Sequence, residues 1–364
     1  MRDPRTTSLC ILGAGGFIGS HLLSRLVRES WRDIRAIDIT SDKIRRLLDR
    51  DNITFVHLDI YDTPGLAEHI ERADIVISLV ALCNPSLYTT VPLDVIDINF
   101  NRPLEVVRMC AARGKWLIHF STSEVYGKTI GRYAPEAADD PARFVLSEDT
   151  SPMILGPVGA QRWSYAAAKQ LLERVIYAYG FEQGLEYTIV RPFNFIGPRM
   201  DYIPGIDGSG VPRVLACFME ALMTGKPLKL VDGGRARRCF TYIDDAVDAV
   251  VRMLERPDAA KGRIFNVGHP GNEVTIAGLA EKMLSIYREL CPRIAPEAPC
   301  MDRVSGESFY GAGYEDSDRR MPDITKARSL LEWEPKTDLD TALRHTMAHY
   351  IREYGADCAP REAC

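Results

Sequence analysis

"SLCILGAGGFIGSHLLSRLVRE", residues 8–29, holds an apolar run, a cluster of glycines and an amphipathic stretch in immediate succession. The apolar run does not alternate with polar residues, as suits a strand buried on both faces of a parallel sheet. Gly13, Gly16 and Gly19 then let the chain turn tightly and bring backbone N–H groups toward a pyrophosphate at the positive end of the helix that follows. As a bare pattern, G-x-x-G-x-x-G says little; between a strand and a helix it marks a dinucleotide site. The candidate loop contacts are Gly13, Gly16, Phe17, Ile18 and Gly19. Asp38 closes the next strand-like run, IRAIDIT, nineteen residues after Gly19. A carboxylate there accepts hydrogen bonds from both ribose hydroxyls of NAD and repels the extra phosphate of NADP, so NAD is the expected cofactor.

The same rhythm continues outward. Strands are expected in ITFVHLDI, ADIVISLVAL, KWLIHFSTS and LEYTIVRPF, with helices between them, including one over SDKIRRLLDR. The fold class is α/β, a doubly wound parallel (Rossmann) sheet with a smaller C-terminal substrate-binding domain. Residues 1–193 form the NAD domain, with a return segment over about 235–268 that supplies the helix DDAVDAVVRMLERP and the strand RIFNVG. Residues 194–234 and 269–355 form the substrate domain, and 356–364 a tail. In the substrate domain VPRVLACFMEALM and TIAGLAEKMLSIYREL read as helices, while residues 291–323 read as irregular. Asp59 and Ile60 after the third strand, with Leu79 and Ala81 after the fourth, fall at the sheet edge where the cofactor's adenosine end lies.

Composition bounds the partners. The chain has 364 residues and a net charge of −5, with no stripe of Lys and Arg, which argues against nucleic acid. No apolar run approaches the ~18 residues of a membrane span. The amino terminus passes into a strand without the features of a secretory signal. Nine scattered cysteines with no C-x-x-C spacing suggest reduced thiols in the cytoplasm and no metal site.

Two further stretches carry chemistry. STSEVYG, residues 121–127, puts hydroxyls and an acid at the carboxyl end of a strand, where open α/β sheets bind ligands. RWSYAAAK, residues 162–169, places Tyr165 and Lys169 four apart, on one face of a helix.

Glycine loop, strand-end Ser/Thr and Tyr-x-x-x-Lys together resemble the extended short-chain dehydrogenase/reductase family, over almost the whole chain. The resemblance implies Tyr165 as acid/base, Lys169 lowering its pKa and holding the ribose, and Thr122 bonding the reacting hydroxyl. The longer phrases QRWSYAAAKQLLERV, RPFNFIGPRMDYIPGIDG, GVPRVLACF, PLKLVDGG and YGAGYEDSDRRMPDI are similar to the UDP-glucuronate decarboxylating subgroup. By that resemblance Glu124 and Arg320 join the reacting centre, with Arg320 on the departing carboxylate. Arg162, Asn194, Arg213, Lys229, Arg238 and Tyr314 hold the nucleotide sugar, and Cys83 in ALCNPSLY matches a cysteine of the sugar site. The implied reaction is oxidation at C4 of UDP-glucuronate and loss of carbon dioxide, giving UDP-xylose, UDP-4-keto-pentose or UDP-apiose. Members that contract the sugar ring carry Cys in the third place of S-T-C-E-V-Y-G, where this chain has Ser123, a much weaker acid. A homodimer, through a four-helix bundle of the nucleotide domains, is implied in the same way. Two alternatives share the cofactor site: a nucleotide-sugar 4-epimerase or dehydratase, whose product keeps six sugar carbons, and a non-catalytic NAD-binding sensor.

Overall fold

The computed structural model describes residues 6–133, 140–208, 210–292, 300–310, 315, 317 and 319–355. Seven strands, β1 (Ser8–Leu12), β2 (Asp33–Asp38), β3 (Ile53–His57), β4 (Ile75–Ser78), β5 (Trp116–Phe120), β6 (Tyr187–Pro192) and β7 (Arg263–Val267), form the central sheet. Their order is β7-β6-β5-β4-β1-β2-β3, every pair parallel. The order reverses between β1 and β4, and the crevice for ligands opens there, at the carboxyl ends. One face of the sheet packs against α1 (Phe17–Arg28) and α7 (Ile243–Glu255), through Leu22, Leu26, Val247 and Val250. The other packs against α2 (Thr63–Glu71), α4 (Arg102–Ala112) and α5 (Ser164–Gln183), through Leu66, Ile70, Val106, Val107, Leu172 and Ile176. Cover on both faces is why β1, β4 and β5 read as unbroken apolar runs.

A short helix α3 (Pro92–Ile96) leads toward α4, and α6 (Val214–Thr224) is the helix expected in VPRVLACFMEALM. The helix over TIAGLAEKMLSIYREL runs Ile276–Leu290, with Thr275 Oγ1 accepting from the Gly278 amide at 2.9 Å.

Two expectations are corrected. SDKIRRLLDR forms only a 3₁₀ segment, Asp42–Leu47, because Ile44 is buried while the basic residues after it face out, too narrow an apolar stripe for a packed α-helix. The stretch 291–323 is not wholly irregular. Met301–Val304 pairs in parallel with Leu228–Val231, and Arg319–Pro322 pairs in parallel with Arg237–Cys239. These pairings are long-range and short, so no local periodicity announces them. The Arg237–Cys239 strand lies between Glu273–Thr275 and Arg319–Pro322 in a small sheet, setting Arg237 opposite Arg319 and Arg238 opposite Arg320. Tyr314 and the tail 356–364 lie outside the described residues.

A buried polar network joins the two parts. Arg191 on β6 makes a two-pronged bond to Glu173 of α5, at 3.1 and 2.6 Å, and donates to the Tyr126 hydroxyl at 2.8 Å. Tyr126 donates to Asn266 Oδ1 at 2.8 Å, and Asn266 Nδ2 donates to the carbonyls of Leu146 and Asp323 at 2.8 and 3.0 Å. Replacing Arg191 by Met strands the Glu173 charge inside the protein; urea unfolding is expected to show a loss of about 3–5 kcal/mol. The double variant Arg191→Met, Glu173→Leu recovers part of it.

Candidate active site

Gly13 stands at φ +85°, and a Cβ there would meet Val80 N and Leu79 at 3.1–3.2 Å, so the turn after β1 closes against the strand-end loop of β4. A Cβ at Gly19 would stand 2.3 Å from the Gly13 carbonyl oxygen, which fixes how closely α1 approaches the turn. The spacing rule passes over Gly15, where a Cβ would lie 2.0 Å from the Thr40 carbonyl oxygen. Its only signal is being the first of the paired glycines in GAGGFIG. Asp38 accepts from the amides of Gly15 and Thr40, at 2.9 and 3.0 Å, and so ties the glycine loop to the end of β2. This cradle, tight against added Cβ atoms and closed by a carboxylate, fits the dinucleotide that the sequence implies. Ile18 flanks it in the first turn of α1; Leu79 and Ala81 follow β4, half-buried. Ile60 is buried, whereas Asp59 is exposed and accepts from the Tyr61 amide at 3.0 Å.

Tyr165 and Lys169 lie in the first two turns of α5, both buried. Tyr165 shares a hydrogen bond with the Thr122 hydroxyl and stacks on Tyr88, ring centroids 5.0 Å apart and planes 12° apart. Tyr88 closes the phrase ALCNPSLY, which drew attention for Cys83 alone; its stacking on Tyr165 has no local signal. Lys169 Nζ donates to the Phe120 carbonyl at 3.0 Å, and burial brings its pKa down to about 8. The expected lowering of the phenol by Lys169 is not the dominant effect. Burial pushes Tyr165 well above the usual phenol, nearby Cys83 and Glu124 push the same way, and the Thr122 bond and Arg213 charge oppose them.

Glu124 follows buried Ser123 in the turn Ser123–Tyr126, where Thr122 Oγ1 accepts from the Glu124 amide at 3.1 Å. Arg162 grips Glu124 with two bonds of 2.6 and 2.9 Å, and its guanidinium lies against the rings of Tyr88 and Trp163. Arg320 approaches Glu124 to 3.6 Å. Burial would raise the Glu124 carboxyl, but Arg162, Arg320 and Arg238 hold it at about 2. It is therefore ionised near neutrality and has no proton to donate. Side chains alternate along a strand, so the neighbouring Arg319 and Arg237 turn to the other face and meet Glu273 instead, at 2.6 and 3.8 Å. Asp244 lies 3.7 Å from His21, and Asp245 accepts from the Thr337 amide at 2.9 Å, so among the described residues neither acid pairs with these arginines.

The remaining sequence-derived residues divide. Cys83 is exposed on the loop after β4, with Tyr165, Lys169 and Arg213 all within its electrostatic reach. Arg213 bonds Asp201 through two nitrogens, at 2.8 and 3.1 Å, with its guanidinium 5.9 Å from the Phe17 ring centroid, beside the glycine loop. Asn194 stands at φ +43° with Nδ2 donating to the Cys239 carbonyl at 3.0 Å, beside the Arg238 strand. Lys229 is exposed, 6.0 Å from the Phe309 ring centroid, and no contact joins it to Tyr165.

A doubly wound parallel sheet with a glycine-lined crevice where its strand order reverses is the architecture of a dinucleotide-dependent enzyme. Residues 9–268 match the model of the NAD dependent epimerase/dehydratase family, and the chain belongs to that family. It is 51% identical over 358 residues to UDP-D-apiose/UDP-D-xylose synthase 1 of Arabidopsis thaliana, covering 95% of this chain and 92% of that one. It is also 51% identical over 360 residues to UDP-D-apiose/UDP-D-xylose synthase of Oryza sativa subsp. japonica, covering 95% and 90%. Among solved structures, PbgP3 protein from Burkholderia pseudomallei superposes with a TM-score of 0.81 at 33% identity over 97% of this chain and 98% of that one. UDP-glucuronic acid 4-epimerase from Bacillus cereus, solved with UDP-glucuronic acid and NAD, shares the fold at TM-score 0.77 and 22% identity, covering 95% and 100%.

The depressed Glu124 carboxyl makes a prediction about stability. Its folded pKa of about 2 lies below the ordinary 4.5, so its contribution is full above pH 4.5 and is lost as pH falls through 2. Wild type is expected to exceed Glu124→Gln by on the order of 3 kcal/mol above that window, converging as the pH drops through it, in urea titrations at stepped pH.

Proposed function

We propose that the chain is an NAD-dependent UDP-glucuronate oxidative decarboxylase of the UDP-apiose/UDP-xylose synthase kind. The observation that carries this reading is the convergence of Arg162, Arg238 and Arg320 on Glu124, within electrostatic reach of Tyr165. A sugar carboxylate has guanidiniums to meet beside a tyrosine placed to act on a hydroxyl; a neutral hexose has no use for them. The 51% identity to two plant synthases over nearly the whole chain supports the same substrate.

When bound, NAD supplies a hydride acceptor that can return the hydride, and a positive charge beside Tyr165. Gly13, Gly16, Phe17, Ile18, Gly19 and Asp38 hold it, with Asp59, Ile60, Leu79 and Ala81 along its adenosine side. Tyr165 takes the proton of the C4 hydroxyl as C4 loses its hydride, and Thr122 holds that oxygen in line. Lys169 orients the ribose and adds its ammonium charge. The product of this step is a 4-keto sugar whose C6 carboxylate is β to the ketone. Arg320 and Arg162 hold that carboxylate until the C5–C6 bond breaks; its electrons pass to the C4 oxygen as an enolate, and carbon dioxide leaves. Ionised Glu124 repels the carboxylate and positions Arg162, so the proton for C5 comes from water or from a hydroxyl such as Ser123 or thiol such as Cys83. Asn194, Arg213, Lys229, Arg238 and Tyr314 complete the nucleotide-sugar site. Ser123 in the place of a thiol favours UDP-xylose and UDP-4-keto-pentose over ring contraction to UDP-apiose.

The NAD domain comprises residues 1–193 with 235–268, which returns β7 to the sheet; residues 194–234 and 269–355 form the substrate domain. The partner is a second copy of the chain. Leu93 and Ile96 on α3 and Leu171 and Phe181 on α5 are exposed, and these two helices pack side by side, so two copies form a four-helix interface. The described cysteines are free, which suits the cytoplasm, and among the described residues no helix is long and apolar enough to cross a membrane.

Purified protein with NAD and ¹³C-labelled UDP-glucuronate is expected to release labelled carbon dioxide and form five-carbon products by NMR; turnover that keeps six carbons would show an epimerase or dehydratase instead. Tyr165→Phe is expected to lower the rate about 10²–10⁴-fold with NAD binding retained, where a sensor protein would be indifferent. Leu171→Asp is expected to convert the dimer to monomer in light scattering, with the far-UV spectrum unchanged.

A further inference from the structure

β4 and β5 run in parallel with Ser78 opposite His119. Along β5 and the residue after it, Leu117, His119 and Ser121 point to one face, by the period of two. That is the α5 face, since Leu117 packs in one cluster with Leu172 and Ile176. Lys169 comes down onto the same place, its ammonium bonded to the carbonyl of Phe120, between His119 and Ser121. His119 is fully buried, and both its ring nitrogens lack a partner among the described residues, as do Ser78 Oγ and Ser121 Oγ. Four orphaned polar atoms in one buried patch cost about 1–3 kcal/mol each unless water satisfies them, and a leucine would pack this face without that cost. The sequence spends polar atoms here, under the helix that carries Tyr165 and Lys169.

We propose that His119 is a positioning residue for Lys169, holding with Ser78 and Ser121 a buried hydrated pocket that keeps the lysine an ammonium. The imidazole itself stays neutral, because burial and the Lys169 charge hold its pKa well below the ordinary value. It therefore offers the pocket an acceptor without a competing cation. The charged and titratable groups facing Lys169 are His119 from β5, Cys83 from the loop after β4, and Glu173 one turn on in α5, which is itself committed to Arg191 of β6. Burial lowers Lys169 and the last two raise it. A dry, apolar pocket deepens the first effect and leaves the others, so the ammonium is lost nearer neutrality.

The proposal rests on the roles given to Tyr165 and Lys169, and its test separates the two. The full chain labelled with ¹³Cε-lysine is titrated by NMR, with the Lys169 signal assigned against Lys169→Met. Wild type is expected to titrate at about 8. His119→Leu is expected to titrate about one unit lower, roughly tenfold less ammonium at a given pH on the alkaline side, and His119→Asn, which keeps polar atoms, to move back toward wild type. The alkaline limb of NAD-dependent turnover follows in the same order. An unmoved Lys169 titration in folded His119→Leu overturns the proposal; if that variant does not fold, the double variant Ser78→Ala, Ser121→Ala dries the same pocket, and an unmoved titration there overturns it equally. A shifted titration in a protein without turnover supports the pocket and removes the proposed activity alone.

Discussion

The buried bond between Arg191 and Glu173 is the constraint on which the rest of the site depends. It pins α5 to β6, and through Tyr126 it pins the turn that carries Ser123 and Glu124. Through Asn266 it reaches the Asp323 carbonyl, three residues beyond Arg320. One guanidinium thus sets the distance between groups that arrive from four separate places in the chain. An ion pair this deep repays its desolvation only when both partners are fully bonded, and here the carboxylate takes two nitrogens while a third interaction goes to the phenol. Positional order is what the protein gains from it.

The electrostatics of the centre follow from the same arrangement. Glu124 is half-buried, and its desolvation alone would raise its pKa, yet arginines from α5's approach, from Arg237–Cys239 and from Arg319–Pro322 keep it charged. Tyr165, within its electrostatic reach, feels burial that the Thr122 bond and the Arg213 charge do not offset, and its phenol is held protonated. Two acids in one cleft are driven in opposite directions by what surrounds them. A cationic cofactor beside the phenol would act against burial and favour the phenolate.

Much of this could be read in the sequence. The doubly wound class follows from unbroken apolar runs alternating with helices, though not the strand order, and Gly13, Gly19 and Asp38 point to a cofactor crevice because only a strand, turn and helix in that order make such spacing useful. Helical spacing puts Tyr165 and Lys169 on one face, but the roles expected of them came from the family resemblance. The rest was not local. Tyr88 stacks on Tyr165 from a loop, Gly15 is required by a carbonyl on another segment, and the Glu124 partners come from positions 38 and 196 residues further on. Short parallel strands such as Arg319–Pro322 carry no periodic signature, so a sequence reading leaves them as loop.

That small sheet has a bearing on how such enzymes diverge. Its two adjacent arginine pairs are chemically identical, and only the pleat decides which pair meets Glu124 and which is spent on Glu273. A shift of a single residue in the chain entering Arg319–Pro322 would swap inside for outside without altering composition, net charge or fold. The doubled arginine softens that hazard, because a slip that carries Arg319 into the place of Arg320 still turns a guanidinium toward Glu124, whereas a slip the other way brings Met321 there.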